Sequence, residues 1–339
     1  MGATNPPTGI SNELLSSTLR SLKDEAVNQL FVNKPLLRFA KEKGKIKYVV
    51  GSTYYDVPAI LNEHTGIVQL DNGYERIDTT ASDVMDFSSY RFCDFTAAIN
   101  IARTEELANR GDKYAMVDIA KARMEQVMES MAQEWEKQVL AGSSTILTNL
   151  QSFQGVDAGT GWFEEGAFGA QGNTVGTLSK GTYAAQNWQN QVVDASSALS
   201  MDNLHDLHVE MGLYTGRGEM DCIIGSPSFW KTYRGLLGDL ERYSSKDDLD
   251  GGRPTLMYAG AKVYASPFLP VTGGSGTVLS AYFLNMSNLE IIFDRDGDFK
   301  LHDFKSLDEY AVRRALIHVR TLIAANHLAS QGLLVNAEA

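Results

Sequence analysis

Hydrophobic and polar positions alternate differently along the chain and divide it into an arm, a strand-rich stretch, one long helix and a mixed region. Residues 1–32 are mostly polar and contain two prolines, which predicts an extended N-terminal arm that gains order only against a neighbour. A short helix is predicted next, with Asn33 as its cap, Pro35 in its first turn and Gly44 at its end.

The stretch from Lys45 to about Ile101 has strand character. Two strand-like runs flank Asn72-Gly73, and an Asn-Gly pair in that position is the strongest short-range signal for a β-hairpin. Few positions in these runs are fully apolar. The pattern therefore predicts a long projecting hairpin rather than a core sheet.

A long amphipathic helix is the clearest single element, and it is predicted over residues 112–141. Asp112 is a plausible cap and Gly142 ends the helix. One helical face carries the apolar positions Met116, Ile119, Ala120, Val127, Met131, Trp135 and Val139. Such a helix is roughly 45 Å long, which is typical of a structural spine.

Residues 142–181 contain nine glycines and only four charged residues, which indicates a long loop between domains. No Lys-Ser or Lys-Thr follows these glycines at the spacing of a phosphate-binding loop.

From about residue 182 a mixed α/β region is predicted. Its helices are expected at 184–199, from Ser200, and from Pro227, and its strands at 221–225, 261–265, 277–284 and 289–293. The tail at 308–325 fits the helical period and the strand period equally well. Its β-branched residues favour a long strand.

Composition then excludes several classes of protein. The 339-residue chain carries a net charge of −12, and its N-terminus has no basic stripe, so strong direct nucleic-acid binding is not expected. No stretch approaches the roughly 20 apolar residues of a membrane span, and the N-terminus does not resemble a signal peptide, so folding in a cytoplasm is expected. Cys93 and Cys222 are interpreted as buried reduced thiols.

No constellation of catalytic, cofactor-binding or metal-ligating residues emerges, so the chain is not expected to be an enzyme. Residues 294–298 resemble the start of a calcium loop, but Lys305 occupies the position of its bidentate glutamate. A turn between two strands is the better interpretation. His205 and His208 lie three apart on a predicted helix, but a metal site would need further ligands.

The order of these elements, together with two short motifs, resembles the major capsid proteins of tailed phages, which have the Hong Kong 97-like fold. The motifs are the stretch from Met220 to Trp230 and the stretch from Tyr258 to Pro270, with its Gly-x-x-Val and Leu-Pro segments. Each motif is weak alone. Their order and spacing extend the resemblance over nearly the whole chain.

The resemblance implies an α+β chain with an N-terminal arm, a long E-loop hairpin, a peripheral domain built on the spine helix, and an α/β axial domain. The implied boundaries are 1–32 for the arm, 33–102 for the short helix and E-loop, 103–181 for the peripheral domain with its glycine-rich loop, 182–290 for the axial domain, and 291–339 for strands returning to the peripheral domain.

In that family, subunits meet as pentamers and hexamers, assemble on a scaffold with a portal at one vertex, and expand as double-stranded DNA is packaged in the host cytoplasm. The resemblance thus implies a virion shell that contacts its DNA only weakly and no membrane. Tyr54, Tyr55 and Tyr74 on the hairpin, with Asn72 and Gly73 near its tip, would suit contacts between subunits. Ordinary cross-strand packing explains the tyrosines equally well.

The sequence departs from some family members at two points. No lysine occurs between Lys47 and Lys113, so an isopeptide crosslink from the E-loop is predicted to be absent. Met1 begins directly at the arm, so a separate scaffold protein or an already trimmed chain is expected. Two alternatives stay open. One is an encapsulin-like compartment shell, and the other is a β-rich enzyme or carbohydrate-binding module.

Overall fold

A computed structural model describes the chain in segments: residues 34–61, 67, 85–104, 113–141, 150, 174–180, 182–183, 188–195, 198–213, 220–237, 249–250, 253–254, 256–269, 279–298, 300–302, 305–306 and 312–335. The chain divides into two compact units. The smaller unit contains residues 94–135 and 294–320, and the larger contains 34–93, 136–293 and 321–335 among the described ranges.

The described helices are α1 (Pro35–Glu42), α2 (Lys113–Ala141), α3 (Met201–Gly212) and α4 (Pro227–Leu237). The strands are β1 (Ile46–Val49), β2 (Tyr54–Ile60), β3 (Met85–Arg91), β4 (Cys93–Ala102), β5 (Thr174–Val175), β6 (Leu178–Ser179), β7 (Gln191–Asp194), β8 (Cys222–Gly225), β9 (Leu249–Asp250), β10 (Arg253–Pro254), β11 (Leu256–Tyr258), β12 (Ala261–Ala265), β13 (Leu279–Leu284), β14 (Leu289–Asp294), β15 (Lys300–Leu301), β16 (Lys305–Ser306), β17 (Val312–Ala325) and β18 (Gly332–Val335).

A mixed sheet of order β11-β12-β8-β13-β18-β7 forms the centre of the larger unit. The β12–β8 and β18–β7 pairs are parallel and the others are antiparallel. The C-terminal strand β18 lies inside this sheet, between β13 and β7. Because β18 comes from the stretch at 291–339, the sheet joins segments that are far apart in sequence.

Helices cover both faces of this sheet. On one face, α3 and α4 form a core with every second strand residue, including Ile223, Val263 and Phe283. On the opposite face, α1 packs through the edge-to-face pair of Phe39 and Tyr264, and the buried Tyr282 hydroxyl donates to the backbone oxygen of Leu140 at the end of α2 over 2.8 Å. Near-continuous burial on both faces explains the apolar strands of this region.

Residues adjacent in sequence determine where α3 and α4 begin, as predicted. The Ser200 side chain accepts a hydrogen bond from the Asn203 backbone N–H at 3.2 Å and caps α3. Pro227 opens α4, and the Ser226 hydroxyl accepts from the Phe229 N–H at 3.0 Å. Both caps satisfy backbone donors that the first helical turn leaves unpaired.

The backbone N–H groups at the start of α1 have a different hydrogen-bond partner from the one predicted. Asn33 lies outside the described residues, and the cap position is Lys34, whose side chain makes no capping bond. The carboxyl group of Glu136, 100 residues further along the chain, accepts from the Leu36 N–H at 3.4 Å and from the Leu37 N–H at 3.5 Å. Gly44, at φ +63°, follows the end of the helix as predicted.

The predicted helix at 184–199 is wrong. Residues 191–194 form strand β7, which pairs in parallel with β18. Val192 and Val193 favour extended backbone, and the pairing partner comes from a part of the chain about 140 residues away. A single-sequence pattern cannot anticipate such a partner.

A second sheet is built around the long strand β17, which confirms the predicted strand in the C-terminal tail. In the larger unit, residues 321–325 of β17 pair with β14, and β14 pairs with β1. In the smaller unit, β15, β16 and β4 pair with β17. The predicted turn after β14 is present there, where the Asp294 carboxylate accepts from the Asp296 N–H at 3.0 Å.

The spine helix α2 spans 29 residues, in agreement with the predicted element at 112–141. Trp135 and Val139 on it are buried, as expected from the apolar stripe. Among the described residues, no helix is long and apolar enough to cross a membrane.

Candidate functional site

Strands β2 and β3 form a separate two-stranded antiparallel ribbon in the larger unit, and its register assigns every residue to one of two faces. Residues opposite each other share a face because strand side chains alternate. One face, here called the inner face, carries the pairs Tyr55–Tyr90, Val57–Ser88 and Ala59–Asp86. The other, the outer face, carries Tyr54–Arg91, Asp56–Ser89, Pro58–Phe87 and Ile60–Met85.

The inner face is covered by the turn between β5 and β6. The Ser89 N–H donates to the Gly176 backbone oxygen at 2.7 Å, and a Cβ at Gly176 would lie 2.8 Å from Cζ of Tyr90. Gly176 has a φ of +55°, so the close approach and the backbone conformation both require glycine. The turn therefore fixes the root of the ribbon.

Two side-chain hydrogen bonds hold the same face. The Tyr90 hydroxyl donates to the backbone oxygen of Ala325 at 2.9 Å, and the Tyr183 hydroxyl donates to the Asp86 carboxylate at 2.9 Å. Burial raises the pKa of Tyr90 to about 12, so its hydroxyl stays protonated and remains a donor at physiological pH. The hydrogen bond from Tyr90 to Ala325 is thus insensitive to ordinary changes of pH.

The outer face is exposed and largely apolar. The exposed fractions are 53% for Tyr54, 73% for Ile60, 53% for Met85 and 56% for Phe87, and Pro58 is exposed between them. Scattered single apolar residues are normal on a protein surface, but the adjacent pairs Pro58–Phe87 and Ile60–Met85 form a contiguous patch, which indicates a binding surface. A two-stranded ribbon is only marginally stable alone, so a partner on this face would stabilise it.

The residues predicted to contact a neighbouring subunit do not all lie on the same face of the ribbon. Tyr54 lies on the outer face, whereas Tyr55 is half-buried on the inner face opposite Tyr90. Asn72, Gly73 and Tyr74, together with the predicted hairpin tip, lie outside the described residues. The predicted contact residues did not include Pro58, Ile60, Met85 or Phe87. Period-two alternation counted from Tyr54 would have found the first two.

The described residues of the ribbon form an exposed surface on one face. Over the described segments, no group of three His, Cys, Asp or Glu side chains is arranged to hold a metal ion. Cys222 is fully buried, and burial raises its pKa far above the usual range of a thiol, which leaves it unreactive.

Comparison with known proteins gives structural matches only. No protein-family model and no curated protein sequence matches this chain. The capsid of cyanophage A-1(L) is similar with a TM-score of 0.67 at 12% identity, over 96% of this chain and 99% of that chain. The capsid of a native GTA particle gives 0.63 at 13% identity, over 99% and 100%.

A third match comes from a different kind of shell. The SrpI encapsulin of Synechococcus elongatus is similar with a TM-score of 0.58 at 12% identity, over 96% of this chain and 95% of that chain. The three matches define the class: the chain is an α+β protein with the Hong Kong 97-like fold of capsid and encapsulin shells, as predicted.

Proposed function

We propose that this chain is the major capsid protein of a tailed double-stranded DNA phage and self-assembles into the icosahedral head that encloses the genome. The observation that carries the proposal is the likeness to the cyanophage A-1(L) capsid over 96% of the chain. The role is structural and not enzymatic. The finished protein is located in the virion, after synthesis and assembly in the host cytoplasm.

The outer face of the ribbon is proposed as a contact between subunits. Its exposed side chains Tyr54, Ile60 and Phe87 would lose water-accessible apolar surface against a neighbour. Tyr55 supports the contact from the inner face, and Asn72, Gly73 and Tyr74 would extend it toward the tip of the loop.

The proposed assembly contains pentamers and hexamers, a separate scaffold protein and a portal at one vertex. The net charge of −12 favours a shell that closes without gripping nucleic acid and contacts the packaged DNA only weakly. Since no lysine lies between Lys47 and Lys113, the shell is held by non-covalent contacts in this loop.

A second candidate function is an encapsulin-like compartment, which the likeness to the SrpI encapsulin favours. The two functions differ in what is enclosed and in whether the chain closes alone. Expression of the chain by itself, followed by electron microscopy, separates them. Uniform closed shells from the chain alone would support the compartment, whereas aberrant or absent particles that become regular when a scaffold is added would support the capsid. A chain that stays monomeric at high concentration would contradict both.

The ribbon contact has its own test in the assembling protein. Replacing Ile60 and Phe87 by aspartate places two charges on the outer face and is expected to abolish assembly while leaving the fold intact, since both side chains are exposed. The matched control is Val50→Asp, which changes a residue that is 60% exposed and lies off the ribbon. Particle yield by sedimentation and folding by circular dichroism are the measurements. Normal assembly of the double variant would contradict the contact.

A further inference from the structure

Residues 34–47 concentrate positive charge in a chain that is acidic as a whole. They contain six of the 30 Lys and Arg residues and one of the 42 Asp and Glu residues, although the net charge of the chain is −12. The stretch covers helix α1 and the start of strand β1. A local cluster of Lys and Arg is the electrostatic mark of a surface that binds phosphate groups, provided that the side chains lie together in the fold.

Helix α1 buries its apolar side and exposes its charged side. The buried positions of the helix are apolar, namely Pro35, Leu36, Phe39 and Ala40. The exposed positions are all charged, and only Glu42 among them is acidic. The Glu42 carboxylate lies 3.4 Å from Nε of Arg38 and 3.4 Å from Nζ of Lys262 on β12, so two cations contact it. Lys41 pairs with no described carboxylate, and its charge is therefore available to another molecule.

Strand β1 starts against the end of the same helix and adds two lysines. The Lys45 N–H donates to the Ala40 backbone oxygen at 3.0 Å, so the chain turns back at the last turn of α1. Gly44 makes this turn at a φ of +63°. Lys45, just before β1, and Lys47, within it, lie on one side of the strand because strand side chains alternate. Lys47 pairs with Glu290 of β14 at 2.7 Å, whereas no described carboxylate pairs with Lys45.

The cations of α1, β1 and β12 form one patch, here called the basic surface. Its members are Arg38, Lys41, Lys43, Lys45, Lys47 and Lys262. Three carboxylates contact these cations: Glu42, Glu290, and Asp221, which pairs with Lys43 at 2.9 Å. Six cations against three carboxylates leave an excess of positive charge, and none of the six side chains is buried.

The composition of the basic surface fits a phosphate backbone better than a protein partner. Protein interfaces have an apolar core inside a polar rim, but α1 keeps its apolar residues buried. Met257, the register partner of Lys262, is an exposed apolar side chain at the edge of the surface. Tyr48 lies on the other side of β1 from Lys47, near Phe293. Phosphate groups need only cations placed along their path, and lysines bind them as point charges.

We propose that the basic surface contacts the sugar-phosphate backbone of double-stranded DNA without reading its sequence. That this DNA is the enclosed genome rests on the proposed shell function, but the binding of a duplex to the chain is measurable without a shell. Because the rest of the chain is acidic, the contact is local and weak, with a Kd for one chain of about 10⁻⁴ M, at the weak end of non-specific binding. Repetition over many subunits would make weak contacts effective.

The test measures binding of the unassembled, full-length chain to a fluorescent DNA duplex of arbitrary sequence over a series of salt concentrations. Lys41→Gln combined with Lys45→Gln removes two cations and leaves no described carboxylate without its partner. Loss of two phosphate contacts is expected to reduce the slope of log Kd against log salt by about 1.8 and to weaken binding in low salt by about tenfold.

Two control variants isolate the surface from overall charge and from folding. Lys231→Gln with Lys300→Gln makes the same change of net charge at exposed lysines outside the basic surface, and is expected to change the Kd by less than about twofold. Lys41→Arg with Lys45→Arg keeps both charges and is expected to keep the wild-type slope. Circular dichroism of each protein checks that the fold is intact.

Each outcome decides between the possible roles of this surface. Equal losses of DNA binding from the two glutamine pairs would mean that only overall charge matters and would overturn the proposal, as would a wild-type chain that fails to bind the duplex in low salt. If the variant at positions 41 and 45 binds DNA normally but does not form particles, the surface serves a protein contact and the proposal is also wrong. Chains that bind DNA through this surface but never form particles would contradict the shell function alone.

Discussion

The α/β sheet of the larger unit and the β2–β3 ribbon are both β-structure, but they are stabilised in different ways. Helices of the same chain cover both faces of the sheet, so Ile224, Tyr282 and Phe283 are almost fully buried. The ribbon has one face covered by the β5–β6 turn and one apolar face open, with Phe87 more than half exposed. The sheet is buried on both faces within one chain, whereas the ribbon leaves one largely apolar face open to solvent.

The strongest test of this difference removes one phenylalanine from each region. Phe283→Ala is expected to lower the free energy of unfolding by about 3–5 kcal/mol because it leaves a cavity in the sheet core. Phe87→Ala is expected to change it by less than about 0.5 kcal/mol, since the side chain is exposed, and to impair assembly instead. Denaturant unfolding of the unassembled protein measures both. Equal losses of stability would show that the ribbon is part of the core.

A smaller effect is expected at the root of the ribbon. Gly176→Ala adds a Cβ 2.8 Å from Tyr90 at a positive φ, whereas Gly51→Ala adds one at φ +72° with nothing within 4 Å. The first variant is expected to lose about 1–3 kcal/mol more than the second, since only it combines backbone strain with overpacking. Thermal unfolding of the two proteins makes the comparison. Indistinguishable midpoints would mean that the turn does not hold the inner face.

The pH dependence of stability separates the two regions further. Burial raises the pKa of Glu136 from 4.5 to about 8, so the folded protein holds a proton that the unfolded chain releases between those values. Stability from this group is present below about pH 4.5 and is lost as the pH rises to about 8, at up to about 1.4 kcal/mol per pH unit.

Glu136→Gln keeps an oxygen that can accept from the Leu36 N–H and removes the titration. The variant is therefore expected to show a flatter profile over this window and to exceed the wild type in stability at its upper end. Urea unfolding at several pH values measures the slope. Parallel profiles for the two proteins would show that Glu136 does not titrate there. The ribbon's anchor, Tyr90, should contribute no slope in the same range because its pKa is about 12.

Several features followed from local sequence because local interactions produce them. Ser200 and Pro227 are adjacent to the helices they start, and the β-branched residues near Val319 and Ile323 favour extended backbone within β17 itself. The order of these elements also allowed the Hong Kong 97-like fold to be predicted, and the structural matches confirm that prediction.

Other features depended on contacts with residues far away in the sequence, which local patterns do not reveal. Strand β7 replaced a predicted helix because β18 pairs with it, and α1 is capped by Glu136 rather than by an adjacent side chain. Alternation along β2 could indicate Pro58 and Ile60, but only the register showed that Phe87 and Met85 lie opposite them on the same open face.

The sequence by itself therefore determined the kinds of element, their order and the acidic balance of the chain, because these depend on residue type and on neighbours a few positions away. The tertiary structure decided which faces are covered and which carboxyl is buried. Those properties arise from contacts between segments that are often about a hundred residues apart, as Leu36 and Glu136 are, and no local pattern encodes them.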